Sequence, residues 1–351
     1  MYIDCHTHCR DEKVSYKGET IGHALRVAED SGLSGIFDMP NIPEPVTTRK
    51  RVLERIALAE DADSPVFFGI YIGLTPDMNQ VKEAVECYRD FFPKPKDKTG
   101  VIGLKMFAGK SVDNLTVSGE DDQRNVYDTL TKLGYQGVLA VHCEKESEMR
   151  PEIWNSENSI THSYARPEIA EIESVRDQID FAIDAGYEGR LHIVHVSCPD
   201  SVDLVYGLKK ILDISCGASP HHLLLDNTFM QIPNGIKYKM NPPLRSPETR
   251  RKLLNKFING QIDILESDHA PHSFEEKMQR HLSGIPNLAS WPDFIELLRD
   301  RGASQNLFDT VAFENVNKIF GLNIPRLNLP IKSHVHEYVF DPYIQLTGKI
   351  K

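Results

Sequence analysis

His6 and His8 flank Thr7 close to the start of the chain. In a β-strand, residues two apart share a face, so both imidazoles point the same way, together with Asp4. Neutral imidazole is a common metal ligand, yet an isolated His-x-His pair is weak evidence for a metal. Three other strand-like runs strengthen it. His142 ends one in Val141-His142-Cys143-Glu144, and His195 ends another in His192-Ile193-Val194-His195. Asp268 ends a third in Glu266-Ser267-Asp268-His269. Four separate strands thus each bring a nitrogen or oxygen donor to their carboxyl ends, which points to metal binding.

Lys105 completes the set from Gly103-Leu104-Lys105-Met106-Phe107. Alternation turns Ile102, Leu104 and Met106 outward against helices and Lys105 inward, where an ammonium is costly. A lysine reaching towards the mouth, or paired with Asp268, would be the bland account. Among cation-binding residues that account is weak, because a like charge repels metals. Burial lowers a lysine's pKa, and the neutral amine can add carbon dioxide to give a carbamate. That product is an anionic, two-oxygen ligand able to bridge two ions. Imidazole and carboxylate donors favour zinc.

Such a constellation needs a scaffold that gathers strand ends. Eight strand-like runs fall at 2–8, 34–40, 65–73, 101–107, 137–143, 190–197, 213–218 and 263–268, with helix-like segments between them. Pro199 and Pro247 suit first helical turns, and Gly134, Gly186 and Gly260 sit where helices should stop. Strict alternation over eight units predicts an α/β fold, a closed (β/α)₈ TIM barrel, rather than an open doubly wound sheet. No G-x-G-x-x-G or Walker loop follows any strand. Three long connections, near 144–166, 219–245 and 269–290, leave the carboxyl ends of strands, where barrel enzymes carry their sites. The barrel is expected over 1–321, with a helix near 309–320. Residues 322–351 read as a C-terminal tail holding one or two short strands, a remnant of an accessory β segment.

Composition narrows the function classes. The 351 residues include 51 acidic and 40 basic ones, a formal charge of −11. That disfavours nucleic acid or an anionic membrane as partner. Hydrophobic residues at 40% describe an ordinary globular chain. No run approaches the roughly 20 apolar residues of a membrane helix, and the first residues read as a strand rather than a leader, so a cytoplasmic location is expected. Six scattered cysteines without Cys-x-x-Cys spacing exclude a zinc ribbon and read as buried thiols. Cys5 and Cys143 neighbour ligand histidines, but alternation should point them to the opposite face.

At the level of motifs the chain resembles the amidohydrolase superfamily, and within it the cyclic amidohydrolases, most closely the dihydroorotase group. The pieces are Asp4-Cys5-His6-Thr7-His8-Cys9-Arg10, Met39-Pro40-Asn41, Gly103-Leu104-Lys105, Ser219-Pro220-His221-His222-Leu223, Asn241-Pro242-Pro243-Leu244-Arg245 and Ser267-Asp268-His269-Ala270-Pro271-His272. The resemblance implies one zinc on His6, His8 and Asp268 and a second on His142 and His195, bridged by carboxylated Lys105 and a hydroxide. It implies Asp268 as catalytic base, and Arg10, Asn41, Asn241 and His272 as substrate contacts. The implied reaction is reversible hydrolysis of dihydroorotate to N-carbamoyl-L-aspartate in pyrimidine biosynthesis. Arg10 carries the distinction from dihydropyrimidinase-like and allantoinase-like relatives, because its guanidinium can clamp a substrate carboxylate. A salt bridge to Asp11 or Glu12 is its structural alternative, and turn formation is that of Asn41. A homodimer and association with aspartate transcarbamoylase, seen for some members, stay open.

Several departures stand out. Asp11-Glu12-Lys13 follows Arg10 where many relatives have Pro-Gly, and almost nothing precedes Asp4 where many have β-sandwich strands. Glu266 replaces a small neutral residue and has no partner evident in sequence. His221 and His222 either line the mouth or serve structural hydrogen bonds. Another cyclic amide is the alternative substrate class. A non-catalytic subunit is disfavoured, because all six ligand positions are filled.

Overall fold

The computed structural model describes residues 1–10, 19–110 and 115–348; Asp11 and Glu12 lie outside them. Eight strands form in chain order: β1 (Tyr2–Thr7), β2 (Leu33–Asp38), β3 (Phe67–Gly73), β4 (Thr99–Ala108), β5 (Val138–Cys143), β6 (Arg190–Ile193), β7 (Ile214–Ala218) and β8 (Ile264–Leu265). Neighbours pair in parallel from β1 through to β8. Beyond β8 the chain returns to the first strand: His8 N–H donates to the His269 carbonyl at 2.8 Å, and Thr7 bridges His269. This is the expected (β/α)₈ barrel, nearly closed.

Local chemistry sets the helix limits. The side chains of Thr20, Thr48, Asp77 and Ser246 each accept a first-turn N–H, satisfying donors that a helix start leaves free. Pro199 and Pro247 open their helices as expected. Gly134, Gly186 and Gly260 follow helices with φ of 61°, 62° and 70°, a conformation that costs glycine little.

Two interruptions of alternation correct the sequence expectation. Pairing of β1 with β2 shifts register between Asp4 and Thr7. Cys5 therefore joins the apolar barrel interior with Ile3, Phe37 and Tyr71. The Asp4 carboxylate instead accepts from Trp291 Nε1 at 2.9 Å and Ser267 N at 3.0 Å, so it does not share the ligands' space. On β4, a shift opposite Ile70 and Tyr71 brings Ile102 inside as well. Leu104 and Met106 do pack against the helical layer.

The last two ligand strands are also shorter than expected. His195 has φ of +37° and Asp268 of +48°, left-handed values that end a ladder. The tail carries no strand among its described residues. It has only the short helical turns Val335–Glu337 and Ile344–Thr347, in keeping with Pro325, Pro330 and Pro342. Leu322 and Ile324 plug the barrel floor. Further on, Lys332 and His334 pair with Asp30, and Glu337 with Arg26 and His23. No helix is long and apolar enough to cross a membrane.

Candidate metal centre

The carboxyl ends of the strands open into a cavity of about 490 Å³ lined by His6, His8, Arg10, Asn41, His142, His195, Asn241, Asp268 and His272. Lys105, fully buried, belongs to the same centre, its charge acting on His6, His142, His195 and Asp268. All ten residues singled out from sequence therefore converge.

Distances divide the donors into two sets. Asp268 Oδ1 lies 3.3 Å from His6 Nε2 and 3.1 Å from His8 Nε2. His142 Nδ1 lies 3.1 Å from His195 Nε2. The sets adjoin, with the His6 and His195 rings 5.0 Å apart between centroids. An ion with tetrahedral bonds of about 2.0–2.1 Å spaces its ligands by about 3.3–3.4 Å, which the His6–Asp268 gap matches and the two 3.1 Å gaps approach from slightly below. Lys105 Nζ is buried with no hydrogen-bond partner among the described residues, 4.9 Å from the Phe107 ring centre. That is an orphaned buried group, the kind a bridging ligand would satisfy. The residues fit a metal pair.

Protonation agrees. Burial lowers the His6 imidazole to about 4, against the opposing pull of Glu266 and Asp268, so it is neutral and its lone pair is free. Burial likewise lowers Lys105 to about 8, with Glu266 and Asp268 resisting, which leaves part of the amine neutral at physiological pH. Burial raises Asp268 above the usual carboxylate range, with His6 pulling it down.

Outer partners fix which nitrogen faces the centre. His8 Nδ1–H donates to Asn41 Oδ1 at 2.8 Å, freeing Nε2 for a metal. The Asn41 carbonyl oxygen is thus committed, and only its amide NH₂ remains for a substrate. His142 Nε2–H donates to Glu144 Oε2 at 3.0 Å, and Arg166 Nε clamps both Glu144 oxygens at 3.0 and 3.2 Å. Sequence reasoning missed Glu144 and Arg166. The signal was available: Glu144 is two residues past His142, so it shares its side.

The remaining substrate candidates are partly engaged. His272 Nε2–H donates to the Ser283 carbonyl at 2.8 Å. Asn241 Oδ1 accepts from Ser283 Oγ at 3.2 Å and lies 3.0 Å from His162 Nε2. Arg10 Nε is buried without a hydrogen-bond partner among the described residues. Trp154 and Lys239, which no motif flagged, also line the cavity from the long connections. Burial, with Arg166 nearby, lowers Lys239 to about 8. His221 and His222 lie outside the lining; they contact Asn287 Nδ2 and the Pro242 carbonyl, as structural histidines would. Glu266 finds its partners inside the barrel, where Oε1 accepts the His195 N–H and Oε2 faces His6 Nδ1 at 3.5 Å.

No family model matches the chain. It is 31% identical over 299 residues to a dihydroorotase from Methanosphaera stadtmanae, covering 82% of this chain and 62% of that protein. Identity to an allantoinase from Salmonella gallinarum is 30% over 339 residues, covering 91% and 70%. The chain therefore spans 62% to 70% of the length of these relatives. The L-hydantoinase (dihydropyrimidinase) from Arthrobacter aurescens superposes with a TM-score of 0.79 at 22% identity, over 95% of this chain and 73% of that one. A dihydroorotase from Campylobacter jejuni gives 0.67 at 14%, over 92% and 83%. These two superpositions speak for the shared barrel alone. Together with the sequence relatives, the barrel and its gathered donors place the chain in the cyclic amidohydrolase family of the amidohydrolase superfamily, a generally metal-dependent group of hydrolases acting on C–N bonds in cyclic amides.

Proposed function

We propose that the chain is a dihydroorotase, a two-zinc hydrolase that interconverts dihydroorotate and N-carbamoyl-L-aspartate. One observation carries this reading: a half-buried arginine, Arg10, whose Nε is buried without a hydrogen-bond partner among the described residues, lines the cavity that holds the candidate metal donors. Of the small cyclic amides considered, dihydroorotate brings a ring carboxylate for a guanidinium to hold.

His6, His8 and Asp268 would hold one ion, His142 and His195 the other, and carboxylated Lys105 would join them. Ions in such a donor set lower the pKa of water and polarise a carbonyl oxygen. The chain's own residues do the rest. Arg10 grips the substrate carboxylate through two parallel N–H···O bonds, with the Asn41 amide beside it. Asn241 and His272 orient the ring from the opposite loops. Asp268, made more basic by burial, takes the proton from the attacking water and returns it to the departing amide nitrogen. In the reverse direction the same carboxyl group protonates the hydroxyl that leaves as the ring closes. Trp154 and the 269–290 connection flank the opening and limit solvent around the bound ring.

A second reading is hydrolysis of a ring without a carboxylate, favoured by the allantoinase that aligns over 91% of the chain. Ring opening measured on dihydroorotate, allantoin, hydantoin and dihydrouracil separates the two. Turnover of dihydroorotate at least tenfold above the others supports the first reading, and a preference for an uncharged ring overturns it.

A further inference from the structure

Beneath the metal centre the barrel interior holds a second cluster of donors that the proposed reaction leaves unused. Cys5, His192 and Glu266 are all fully buried, and one ligand atom from each lies within 4.8 Å of the others. Glu266 Oε2 is 3.5 Å from Cys5 Sγ and 3.6 Å from His192 Nε2. His6 Nδ1, on the far side of the ring that faces Asp268, is 3.5 Å from the same oxygen.

Cys5 Sγ–H donates a hydrogen bond to Glu266 Oε2, so the two imidazole gaps are what separate two accounts of the cluster. An N–H···O hydrogen bond spans about 2.7–3.2 Å, so neither imidazole nitrogen bonds the carboxylate well. Both His192 Nε2 and His6 Nδ1 are buried without a hydrogen-bond partner among the described residues. Ligands on a tetrahedral ion, with bonds of about 2.0–2.3 Å, are instead separated by about 3.3–3.8 Å. The 3.6 Å from His192 Nε2 to Glu266 Oε2 falls inside that range, and the 3.5 Å from Cys5 Sγ is compatible with it as well as with a hydrogen bond.

The surroundings hold this geometry. A Cβ on Gly217 would stand 2.3 Å from Glu266 Oε1, so only glycine leaves room for the carboxylate. That oxygen accepts the His195 N–H, which aims Oε2 at the cluster. His192 Nδ1 meets Ser215 Oγ at 2.9 Å, which fixes the ring and leaves Nε2 directed inward. The register shift in β1 is what brings Cys5 inside.

We propose that Cys5 Sγ, His192 Nε2 and Glu266 Oε2 bind a third divalent ion, zinc by donor type, buried in the barrel behind His6. The thiol proton of Cys5 is released to solvent as the sulfur–metal bond forms, so the ion sits against two anionic ligands. A neutral His6 has one lone pair, which serves the ion at Asp268, so its Nδ1 keeps the ring proton and faces Glu266 without binding the third ion. The ion is structural: it neutralises Glu266 and stiffens the strand ends that carry His6 and His195. The site adjoins the centre proposed above but shares no ligand with it, and the experiment reads the two separately.

The test is cobalt substitution of the full chain, followed by absorption spectroscopy and metal analysis. Among the described residues, Cys5 is the only one of the six cysteines in a group of candidate ligands. A thiolate-to-cobalt charge-transfer band in the near ultraviolet therefore reports this site, while visible ligand-field bands report histidine and carboxylate sites. The wild-type chain should show both. Cys5→Ala should lose the near-ultraviolet band and one equivalent of metal and keep the visible bands; Glu266→Gln should lose the same equivalent. Visible bands without charge transfer in the wild type would overturn the third site and leave the centre at His6 and His8 standing. Failure to take up any cobalt would overturn both. The wild-type spectrum needs no variant to fold, so it decides the matter by itself.

Discussion

Replacing Arg10 by methionine removes the guanidinium while keeping a long, flexible side chain at the cavity wall. Arg10 lies two residues past His8 and lines the cavity with the metal donors. A guanidinium–carboxylate clamp makes two charge-assisted bonds, each worth about 1.5–3 kcal/mol net. The Asn41 amide keeps part of the hold on the carboxylate, so the expected loss is about 2–4 kcal/mol rather than the full sum. At 1.4 kcal/mol per factor of ten, that is a fall of roughly 30- to 700-fold in kcat/KM for dihydroorotate. Dihydrouracil has no carboxylate, and its turnover should change by less than about threefold. Most of the loss should appear in KM, with a part in kcat because the clamp also positions the scissile bond. Arg10→Lys should fall between, since it keeps the charge without the fork. The assay is ring opening followed by ultraviolet absorbance, on both substrates, for all three proteins. Equal losses on both substrates would refute the carboxylate clamp while leaving the metal centre intact.

Other perturbations probe the centre and its supports. Lys105→Ala should bind less metal and lose nearly all turnover, with partial recovery in short carboxylic acids; unchanged metal content and turnover would contradict a bridging role. Glu144→Gln weakens the hold on His142, and metal affinity by chelator competition should drop about 10- to 100-fold; an unchanged affinity would count against that support. Burial opposes protonation of His23, but its bonds to Glu19 and Glu337 raise its pKa above the ordinary 6.5. Its stabilising contribution is thus full below about 6.5 and disappears as pH rises through the raised value. The melting temperature of His23→Asn should therefore trail the wild type most at acidic pH and converge with it at alkaline pH; a constant gap would contradict this.

Much of the candidate centre was legible because its donors sit on strands or just past their carboxyl ends, where a period of two and the carboxyl-end rule are enough to collect them. His6, Lys105 and His142 lie on strands, and His8, His195 and Asp268 one to three residues past strand ends. The errors arise where regularity fails. The register shift in β1 exchanges the places expected of Asp4 and Cys5, and the shift at β4 brings Ile102 inside. A one-residue slip flips a side chain to the other face, and no local propensity announces it. The left-handed backbone at His195 and Asp268 is equally silent, since neither residue type requires it. Trp154, His162, Arg166 and Lys239 come from long connections whose path is set by tertiary packing rather than by period. Glu266 looked anomalous in sequence because its partners, Cys5, His192 and the His195 N–H, belong to strands β1 and β6 and the segment just beyond β6.

The central claim is that this centre opens the dihydroorotate ring with bound metal. The direct measurement is turnover of dihydroorotate by the 351-residue chain, beside allantoin, hydantoin and dihydrouracil, with metal content determined on the same sample. The account predicts selective ring opening that falls away with chelation and returns with zinc. Turnover that survives complete metal removal, or a metal-loaded chain that favours an uncharged ring, would contradict it.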